Sequence, residues 1–301
     1  MANYAAVAII GLPNSGKSTL LNVLVGEKLA AVSQTPQTTR GRILGVVNRG
    51  PVQLAFLDTP GIHEAKHVLN QRMLRHVETA MLEADLLLWV VDADGFLGPG
   101  ERELAKRLQH AQQPIYLLLN KIDLLSKGRL LEKIAEYKDL MPFREIVPIG
   151  AKLGLNLDPL WSILERDAPS GEWQITDDTF TDQTERGMAT EFIREKILRK
   201  TREEVPHGVA VIIERWIESG QVDFPEDLQE GGTFIQAQIL VERANHRKIL
   251  LGSGGEMIRD IRQSAQRELK KLLQRPVRLE LHVKVQEDWR NQSDQLDRLK
   301  L

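Results

Sequence analysis

A glycine-rich octapeptide between an apolar run and a helical pattern constrains this chain more than any other feature. The sequence Gly11-Leu12-Pro13-Asn14-Ser15-Gly16-Lys17-Ser18 follows the apolar residues 5–10 and precedes a helical pattern over 17–25. In that setting G-x-x-x-x-G-K-S predicts a phosphate-binding loop, because its glycines let backbone N–H groups turn inward at a helix N-terminus. Lys17 would neutralise the β and γ phosphates and the Ser18 hydroxyl would ligate Mg²⁺. A glycine turn without chemical purpose is the alternative.

A second motif, Asp58-Thr59-Pro60-Gly61, follows the apolar run 54–57. A carboxylate at the carboxyl end of a strand lies where α/β sheets bind their ligands. Asp58 would hold Mg²⁺ through water, and the Gly61 amide would sense the γ-phosphate, which gives this loop two states. The pattern alone is common, so its position carries the prediction.

A third motif, Asn120-Lys121-Ile122-Asp123, follows the apolar run 115–119 and decides the base. The Asp123 carboxylate can accept from guanine N1–H and the exocyclic amine, a pair of donors that adenine lacks. Asn120 would brace the loop and reach the imidazole edge of the base, while Lys121 would lay its methylenes over the ring. GTP is therefore the predicted nucleotide, and an ATPase is disfavoured.

The hydrophobic pattern divides the 301 residues into two domains. Residues 1–167 alternate apolar β-rich runs with amphipathic helices, which predicts an α/β fold with a doubly wound, mostly parallel sheet. Residues 168–184, in which Pro169-Ser170-Gly171 precedes a cluster of Asp and Thr, are interpreted as a linker. Residues 185–301 follow the order helix, strand, strand, helix, strand, which predicts a smaller α+β domain.

The second domain contains a glycine loop inside a basic segment. Leu250-Leu251-Gly252-Ser253-Gly254-Gly255-Glu256-Met257-Ile258 fits the KH pattern, in which G-x-x-G lets backbone approach the sugar-phosphate chain. Between residues 244 and 278, nine basic side chains stand against three acidic ones, although the whole chain carries a net charge of only −2. This local excess predicts RNA binding. An ordinary solvated helix after a tight turn is the alternative. The candidate RNA-binding residues are Arg247, Lys248, Gly252, Ser253, Gly254, Gly255, Arg259, Arg262 and Lys270.

The three nucleotide motifs, in this order on one sheet, resemble the translation-factor-related class of GTPases. The resemblance implies that Gln37-Thr38-Thr39-Arg40 is the first switch, where a threonine completes the Mg²⁺ shell, with Thr39 narrowly favoured over Thr38. It also implies that Ile149-Gly150-Ala151-Lys152 is the last base loop, with the Ala151 amide meeting guanine O6. The family usually has Ser at position 150, so this loop is the weakest match.

Catalysis departs from Ras-like enzymes in one position. Ile62 follows Gly61 where those enzymes carry a water-orienting Gln, so we expect slow hydrolysis until a partner or a cation completes the site. Asn14 resembles the residue that binds K⁺ in cation-dependent relatives, and a turn-forming Asn is the equally weighted alternative. Lys17, Thr39 and Gly61 are the candidate catalytic residues, and Ser18, Thr39 and Asp58 are the candidate Mg²⁺ ligands. The full candidate GTP site comprises Gly11, Leu12, Pro13, Asn14, Ser15, Gly16, Lys17, Ser18, Thr19, Thr38, Thr39, Asp58, Thr59, Pro60, Gly61, Ile62, Asn120, Lys121, Asp123, Gly150, Ala151 and Lys152.

The whole chain resembles the bacterial ribosome-assembly GTPases that carry a C-terminal KH domain of prokaryotic type. The stretches Glu191–Lys196 and Glu204-Val205-Pro206-His207 support this resemblance. It implies binding near the 3′ end of the small-subunit ribosomal RNA during assembly of that subunit, by a monomer that does not bind DNA. It leaves open a peripheral association with the inner face of the cell membrane, for which the residues contain no amphipathic anchor or lipidation signal.

The remaining observations concern the expected cellular location and the alternative functions. The chain has no cysteine, which excludes disulfides and thiolate metal sites. Met1–Tyr4 lacks the features of a secretory signal, and we expect a cytoplasmic protein. Two other functions remain: a GTPase acting on tRNA modification or a protein partner with the C-terminal domain as scaffold, and an RNA-binding module with an inert nucleotide domain.

Overall fold

The computed structural model describes residues 2–62, 67–201 and 205–301. Their contacts divide the chain into two compact units. The first comprises residues 1–32, 39–66 and 70–182, and the second comprises 33–38, 67–69 and 183–301. Glu204, which supports the resemblance above, lies outside the described residues. Within the described ranges, no helix combines the length and the apolarity needed to cross a membrane.

The first unit is built on a six-stranded sheet in the order β2-β3-β1-β4-β5-β6. All its neighbouring strands pair in parallel except β2 and β3, which are antiparallel. This confirms the predicted α/β fold with a mostly parallel sheet; the pattern of the sequence did not show the reversed direction of β2. The strands are β1 (Asn3–Ile10), β2 (Ile43–Arg49), β3 (Val52–Asp58), β4 (Leu86–Asp92), β5 (Ile115–Asn120) and β6 (Glu145–Pro148).

Helices cover both faces of this sheet, as its uniformly apolar central strands require. Every residue of β3 and β5 is buried, so neither face of these strands meets water. One core cluster joins Trp89 of β4 to Tyr137 and Met141 beside it. The helices of this part of the chain are α1 (Lys17–Val25), α2 (Val68–Glu83), α3 (Pro99–Leu108), α4 (Lys127–Lys138) and α5 (Leu157–Asp167).

Residues 168–182 belong to the first unit, where their backbone bonds to the sheet. The Val46 N–H of edge strand β2 donates to Phe180 O over 2.9 Å, and a bridge joins Gly45 to Thr181. The Gln53 amide donates to Ile175 O over 2.8 Å. Residues 180–182 of this segment therefore lie along the outer edge of β2.

The second unit has a three-stranded sheet, β7-β8-β9, covered by helices. β7 and β8 are antiparallel, and β8 and β9 are parallel. Apolar residues from α6, α8 and all three strands form its core. The sequence did not predict α7, which precedes the glycine loop, or α9. The elements are α6 (Glu185–Lys200), β7 (Val209–Glu218), β8 (Thr233–Val241), α7 (Ala244–Leu251), α8 (Glu256–Leu273), β9 (Val277–Val285) and α9 (Ser293–Arg298).

Residues 33–38 group with this second unit through contacts to α6. The Arg194 side chain is buried, donates to Gln37 O over 3.3 Å, and also bonds to Thr38 O. The Thr35 hydroxyl donates to Leu198 O. The chain passes from the second unit to the first at the peptide between Thr38 and Thr39.

Candidate functional site

The octapeptide loop lies between β1 and α1, and two of its glycines allow very close backbone approaches. Gly11 has φ +151°, and a Cβ there would lie 2.3 Å from Val90 O. Gly16 has φ +101°, and a Cβ there would lie 2.1 Å from Nδ2 of Asn120. Both positions combine a left-handed backbone with no room for a side chain, so only glycine fits.

Lys17 begins α1, and its ammonium lies inside the curve of the loop. Nζ donates to Gly11 O over 3.1 Å and to Leu12 O over 2.9 Å. Burial lowers the pKa of Lys17 to about 8, although the charge of Asp58 opposes this shift. A buried cation surrounded by backbone groups is suited to an anionic ligand such as a phosphate.

Three side-chain oxygens meet at the start of α1. Ser18 Oγ lies 2.7 Å from Thr39 Oγ1 and donates over 2.7 Å to Asp58 Oδ2. Thr39 Oγ1 also lies 3.4 Å from that carboxylate oxygen. The other oxygen, Asp58 Oδ1, is buried and has no hydrogen-bond partner among the described residues. Thr38 lies elsewhere, with its hydroxyl bonded to Ser33 Oγ and Thr35 O, each over 2.7 Å.

These oxygens suit a magnesium ion. Burial raises the pKa of Asp58 to about 6, against the lowering effects of Lys17, Ser18 and Thr39. A buried carboxylate with one unpartnered oxygen, beside two hydroxyls, is a hard-oxygen donor set of the kind that Mg²⁺ binds together with phosphates. The donor set therefore fits the ion.

The loop after β3 contacts the octapeptide directly. A Cβ on Gly61 would lie 2.7 Å from Pro13 N, so these two backbones touch. The Ile62 N–H donates to Gly11 O over 3.2 Å, and the Ile62 side chain packs against the core. Thr59 is buried and donates to Ile9 O. An aliphatic side chain packed inward cannot orient a water molecule at this position.

Asn120, at the end of β5, holds two loops together. Its Nδ2 donates to Ser15 O over 2.8 Å, and its Oδ1 accepts from the Ala151 N–H over 2.9 Å. Its side chain thus links the octapeptide loop to the loop at 150–152. The Ala151 amide, which the resemblance assigned to guanine O6, instead donates to Asn120 here.

The remaining residues of the predicted base site lie around that bridge. Lys121 has φ +68° and forms an ion pair with Asp92, and Asp123 is exposed. A Cβ on Gly150 would lie 3.1 Å from Leu155 Cβ, while a carboxylate oxygen of Asp123 would lie 3.3 Å away. Glycine at position 150 avoids this crowding.

Other predicted residues lie in or next to these loops. Asn14 is exposed and has φ +64°. Thr19 lies on α1, Pro60 lies between Thr59 and Gly61, and Lys152 is exposed beyond Ala151.

Two residues that the sequence did not single out support the site. The Asn22 amide on α1 accepts from the Leu29 and Ala30 N–H groups, each over 2.9 Å, and donates to Ala30 O. Asp92 binds Lys121 as above. Asp92 could have been suspected because it ends the strand before the base motif, whereas nothing in the pattern marks Asn22.

The glycine loop of the second unit connects α7 to α8 and is open. Gly254 and Gly255 have φ +56° and +79°, and a Cβ on either would meet nothing within 4 Å. Gly252 is crowded, because its Cβ would lie 2.8 Å from Met257 Cβ. The backbone at 254–255 is therefore accessible to a ligand.

Basic side chains lie on the two helices that the glycine loop connects. Arg247 and Lys248 lie on α7, whereas Arg259, Arg262 and Lys270 lie on α8; all are exposed except Arg262, which is half-buried. Two other cations of the basic segment are ion-paired with acids: Arg275 binds Glu185 and Glu218, and Arg278 binds Asp227. Arg247, Lys248 and Arg259 thus offer positive charge near the glycine loop, whereas Lys270 lies in the last turn of α8.

The fold and the sites define the class of this protein as a P-loop GTPase joined to a KH domain. Residues 6–121 match the family described as 50S ribosome-binding GTPase, and residues 204–290 match the KH domain family. The chain is 42% identical to GTPase Era of Heliobacterium modesticaldum, over 96% of this chain and 94% of that protein. It is 45% identical to GTPase Era of Geobacter metallireducens, over 94% and 92% of the two chains. The chain belongs to the Era family of GTPases, which confirms the resemblance and the predicted GTPase activity.

Solved structures agree with this assignment. A crystal structure of Era in complex with MgGDPNP and nucleotides 1506–1542 of 16S ribosomal RNA has a TM-score of 0.92 and 37% identity, covering 99% of both chains. A variant of Aquifex aeolicus Era bound to GDP·AlF4⁻ has a TM-score of 0.91 and 37% identity, covering 99% of this chain and 98% of the other.

Proposed function

We propose that this chain is a GTP-controlled switch that binds small-subunit ribosomal RNA near its 3′ end and acts in assembly of the small ribosomal subunit. The open Gly254–Gly255 backbone beside exposed cations is the observation that carries this proposal. A relative with 37% identity binds nucleotides 1506–1542 of 16S ribosomal RNA, which identifies the class of partner. The functional parts would be the GTPase domain at 1–167, the linker at 168–184 and the KH domain at 185–301.

The nucleotide would lie over the octapeptide loop. Lys17 would pair with the β and γ phosphates, and the Gly61 N–H would meet the γ-phosphate. Asp123 would read the guanine edge, while Lys121 would cover the face of the ring. The other residues of the predicted site, at 11–19, 38–39, 58–62 and 150–152, would also contact the bound GTP.

Ser18, Thr39 and Asp58 would hold Mg²⁺, with Asp58 acting through water. The ion supplies charge neutralisation at the phosphates when it is bound. Thr39 would become a ligand only when the first switch is ordered, so its position would depend on the nucleotide state.

Hydrolysis would be slow in the isolated protein. The Lys17 ammonium would stabilise charge on the transferring phosphoryl group, and the Gly61 N–H would donate to its oxygen. Ile62 offers no polar atom to the attacking water. A partner or K⁺ held by Asn14 would supply what is missing.

The RNA would bind the glycine loop and its flanking cations. Backbone N–H groups at 252–255 would approach the sugar-phosphate chain while Arg and Lys side chains neutralise phosphates. The proposed RNA contacts are Arg247, Lys248, Gly252, Ser253, Gly254, Gly255, Arg259, Arg262 and Lys270. We further propose a cytoplasmic monomer that does not bind DNA, with peripheral membrane association left as an open alternative.

RNA binding by a paired set of variants tests this proposal. Gly254→Asp with Gly255→Asp places two negative charges against phosphate and should reduce affinity for a 3′-terminal 16S ribosomal RNA fragment by about 100-fold or more. The matched control is Gly220→Asp with Gly231→Asp, at glycines that also have positive φ (+86° and +78°) and open surroundings. It adds the same charge and comparable backbone strain away from the loop. GTP affinity should be unchanged in both.

Equal loss of RNA affinity in both double variants would contradict the assigned surface. Unchanged RNA affinity with intact GTP binding would favour a GTPase whose second domain is a scaffold. RNA binding without any GTP binding by the parent protein would favour the inert nucleotide domain.

Control of RNA affinity by the nucleotide is a separate part of the proposal. The segment that contains the first switch is divided between the two units: residues 33–38 group with the second and Thr39 with the first, so a change in the path of residues 37–40 would involve both. RNA affinity is therefore expected to differ between the GDP form and the form with a non-hydrolysable GTP analogue. Equal affinities would remove the coupling.

A further inference from the structure

The paired ends of β4 and β5 bring an unassigned carboxylate to the base site. Asp92 lies opposite Asn120 in the parallel register, and the Ala93 N–H donates to Asn120 O over 2.9 Å. From this fixed position, Asp92 Oδ2 accepts from Lys121 Nζ over 2.5 Å. Its other oxygen accepts from the Asp94 N–H over 3.1 Å. Both carboxylate oxygens are therefore used, one to fix the carboxylate and one to bind the lysine.

The pair is exposed enough to contribute little to folding. The two side chains are 32% and 33% exposed, and ion pairs in such surroundings contribute weakly to stability. Lys121 has φ +68°, so its backbone already has an unusual conformation for a residue with a long side chain. Its flexible methylene chain would otherwise sample many rotamers, and holding it in one lowers the entropy lost when a ligand binds.

We propose that Asp92 is a positioning residue of the base site. It anchors the Lys121 ammonium at the end of β4, so that the methylene chain is already extended when the guanine ring arrives. This rests on the proposed function, because the role of Lys121 over the base is part of it. Asp92 touches neither the nucleotide nor the reacting atoms in this arrangement.

Affinity and selectivity should respond differently to a change at Asp92. Lysine methylenes pack against the ring face without reading its edge, so the anchor affects how long any purine nucleotide stays bound. Asp92→Asn should raise the dissociation rates of GDP and GTP together by about two- to fivefold, the range that an exposed ion pair contributes. Selectivity for guanine over xanthine nucleotides should not change, nor should kcat at saturating GTP.

The test is stopped-flow dissociation of a fluorescent GDP from the full-length protein. Asp94→Asn is the matched control, because Asp94 is an exposed aspartate two residues away. Its dissociation rate should equal that of the parent protein. Thermal unfolding of each variant without nucleotide should be alike, which separates positioning from a general structural effect.

A double-mutant cycle with Lys121→Met identifies the route of the effect. This substitution keeps an apolar side chain and removes the charge, so Asp92→Asn should have no further effect in its background. The proposal would be overturned if Asp92→Asn raised the dissociation rate equally with Lys121 and with Met at position 121. It would also be overturned if Asp92→Asn alone dissociated GDP at the rate of the parent protein. Failure of the parent protein to bind GDP would instead contradict the proposed function.

Discussion

The hydroxyl oxygens of Ser18 and Thr39 lie 2.7 Å apart, although 21 positions separate them in the chain. Both also bond to the same carboxylate oxygen of Asp58. Such an arrangement requires the segment before β2 to return to the start of α1. The Asn22 amide, which bonds to the backbone at Leu29 and Ala30, fixes the beginning of that return.

The geometry predicts different effects for two adjacent threonines. Thr39→Ala should remove a magnesium ligand and lower the GTP hydrolysis rate by about tenfold or more. Thr38→Ala should lower the hydrolysis rate much less, because the hydroxyl of Thr38 bonds to Ser33 and Thr35. Single-turnover hydrolysis over a series of Mg²⁺ concentrations measures both. A larger loss in Thr38→Ala would reverse the assignment.

Asp123 should control the choice of base. Asp123→Asn replaces a carboxylate by an amide that can donate to the C2 carbonyl oxygen of xanthine, so GTP affinity should fall about 100-fold and XTP affinity should rise. Competition binding with both nucleotides gives the ratio. Asp139→Asn, at an exposed position after α4, is the control and should preserve GTP preference. GTP selectivity retained in Asp123→Asn would refute the role of this residue.

A potassium effect is expected to depend on Asn14. GTP hydrolysis should be several-fold faster in KCl than in NaCl at equal ionic strength, because a bound cation would stabilise charge at the phosphates. Asn14→Ala should hydrolyse GTP at similar rates in the two salts. Identical rates for the parent protein would leave Asn14 as a turn residue.

Asp167 should make stability depend on acid pH. Two hydrogen bonds from Arg166, of 2.8 and 2.7 Å, lower the pKa of this carboxyl to about 2, and Tyr116 also donates to it. A lowered pKa contributes stability above the unfolded-state value near 3.8, and this contribution is lost as pH falls towards 2. Allowing for solvent screening, we expect about 1 kcal/mol.

Urea unfolding of Asp167→Asn measures that contribution. The parent protein should be more stable than the variant by about 1 kcal/mol at pH 6, and the difference should shrink as pH is lowered from 4 towards 2. Asp139→Asn should change stability by less than about 0.5 kcal/mol at both ends. A constant difference across this range would contradict the ionic origin.

The sequence predicted those parts of the fold and the site whose signals are local. Continuous apolar runs located β4 and β5, and the spacing of glycines located the phosphate loop. The helix α7 was missed because four of its eight residues, Asn245-His246-Arg247-Lys248, are consecutive and polar, which hides the apolar face. The hydrophobic pattern contained no signal for the antiparallel direction of β2. The direction of a strand depends on the path of the connections before and after it.

Contacts between side chains could not be predicted from the sequence for a different reason. Thr38 and Thr39 are identical in chemistry, and only the path of an irregular segment brings one of them to Ser18. The Asp92–Lys121 pair depends on the register between β4 and β5, which the pattern of either strand leaves undefined. Contacts of this kind follow from tertiary structure and have no fixed spacing along the chain.

The pairing of residues 180–181 with β2 has a consequence for where a shortened form of this protein can end. An uncovered edge strand offers its N–H and C=O groups to other molecules and promotes association. Residues 180–181 occupy such groups on Gly45 and Val46. A GTPase fragment ending at Asp182 should therefore elute as a monomer in gel filtration, whereas a fragment ending at Asp167 should self-associate. The last residues before the KH domain thus cover the edge of β2 and prevent a second molecule from adding a strand to the sheet.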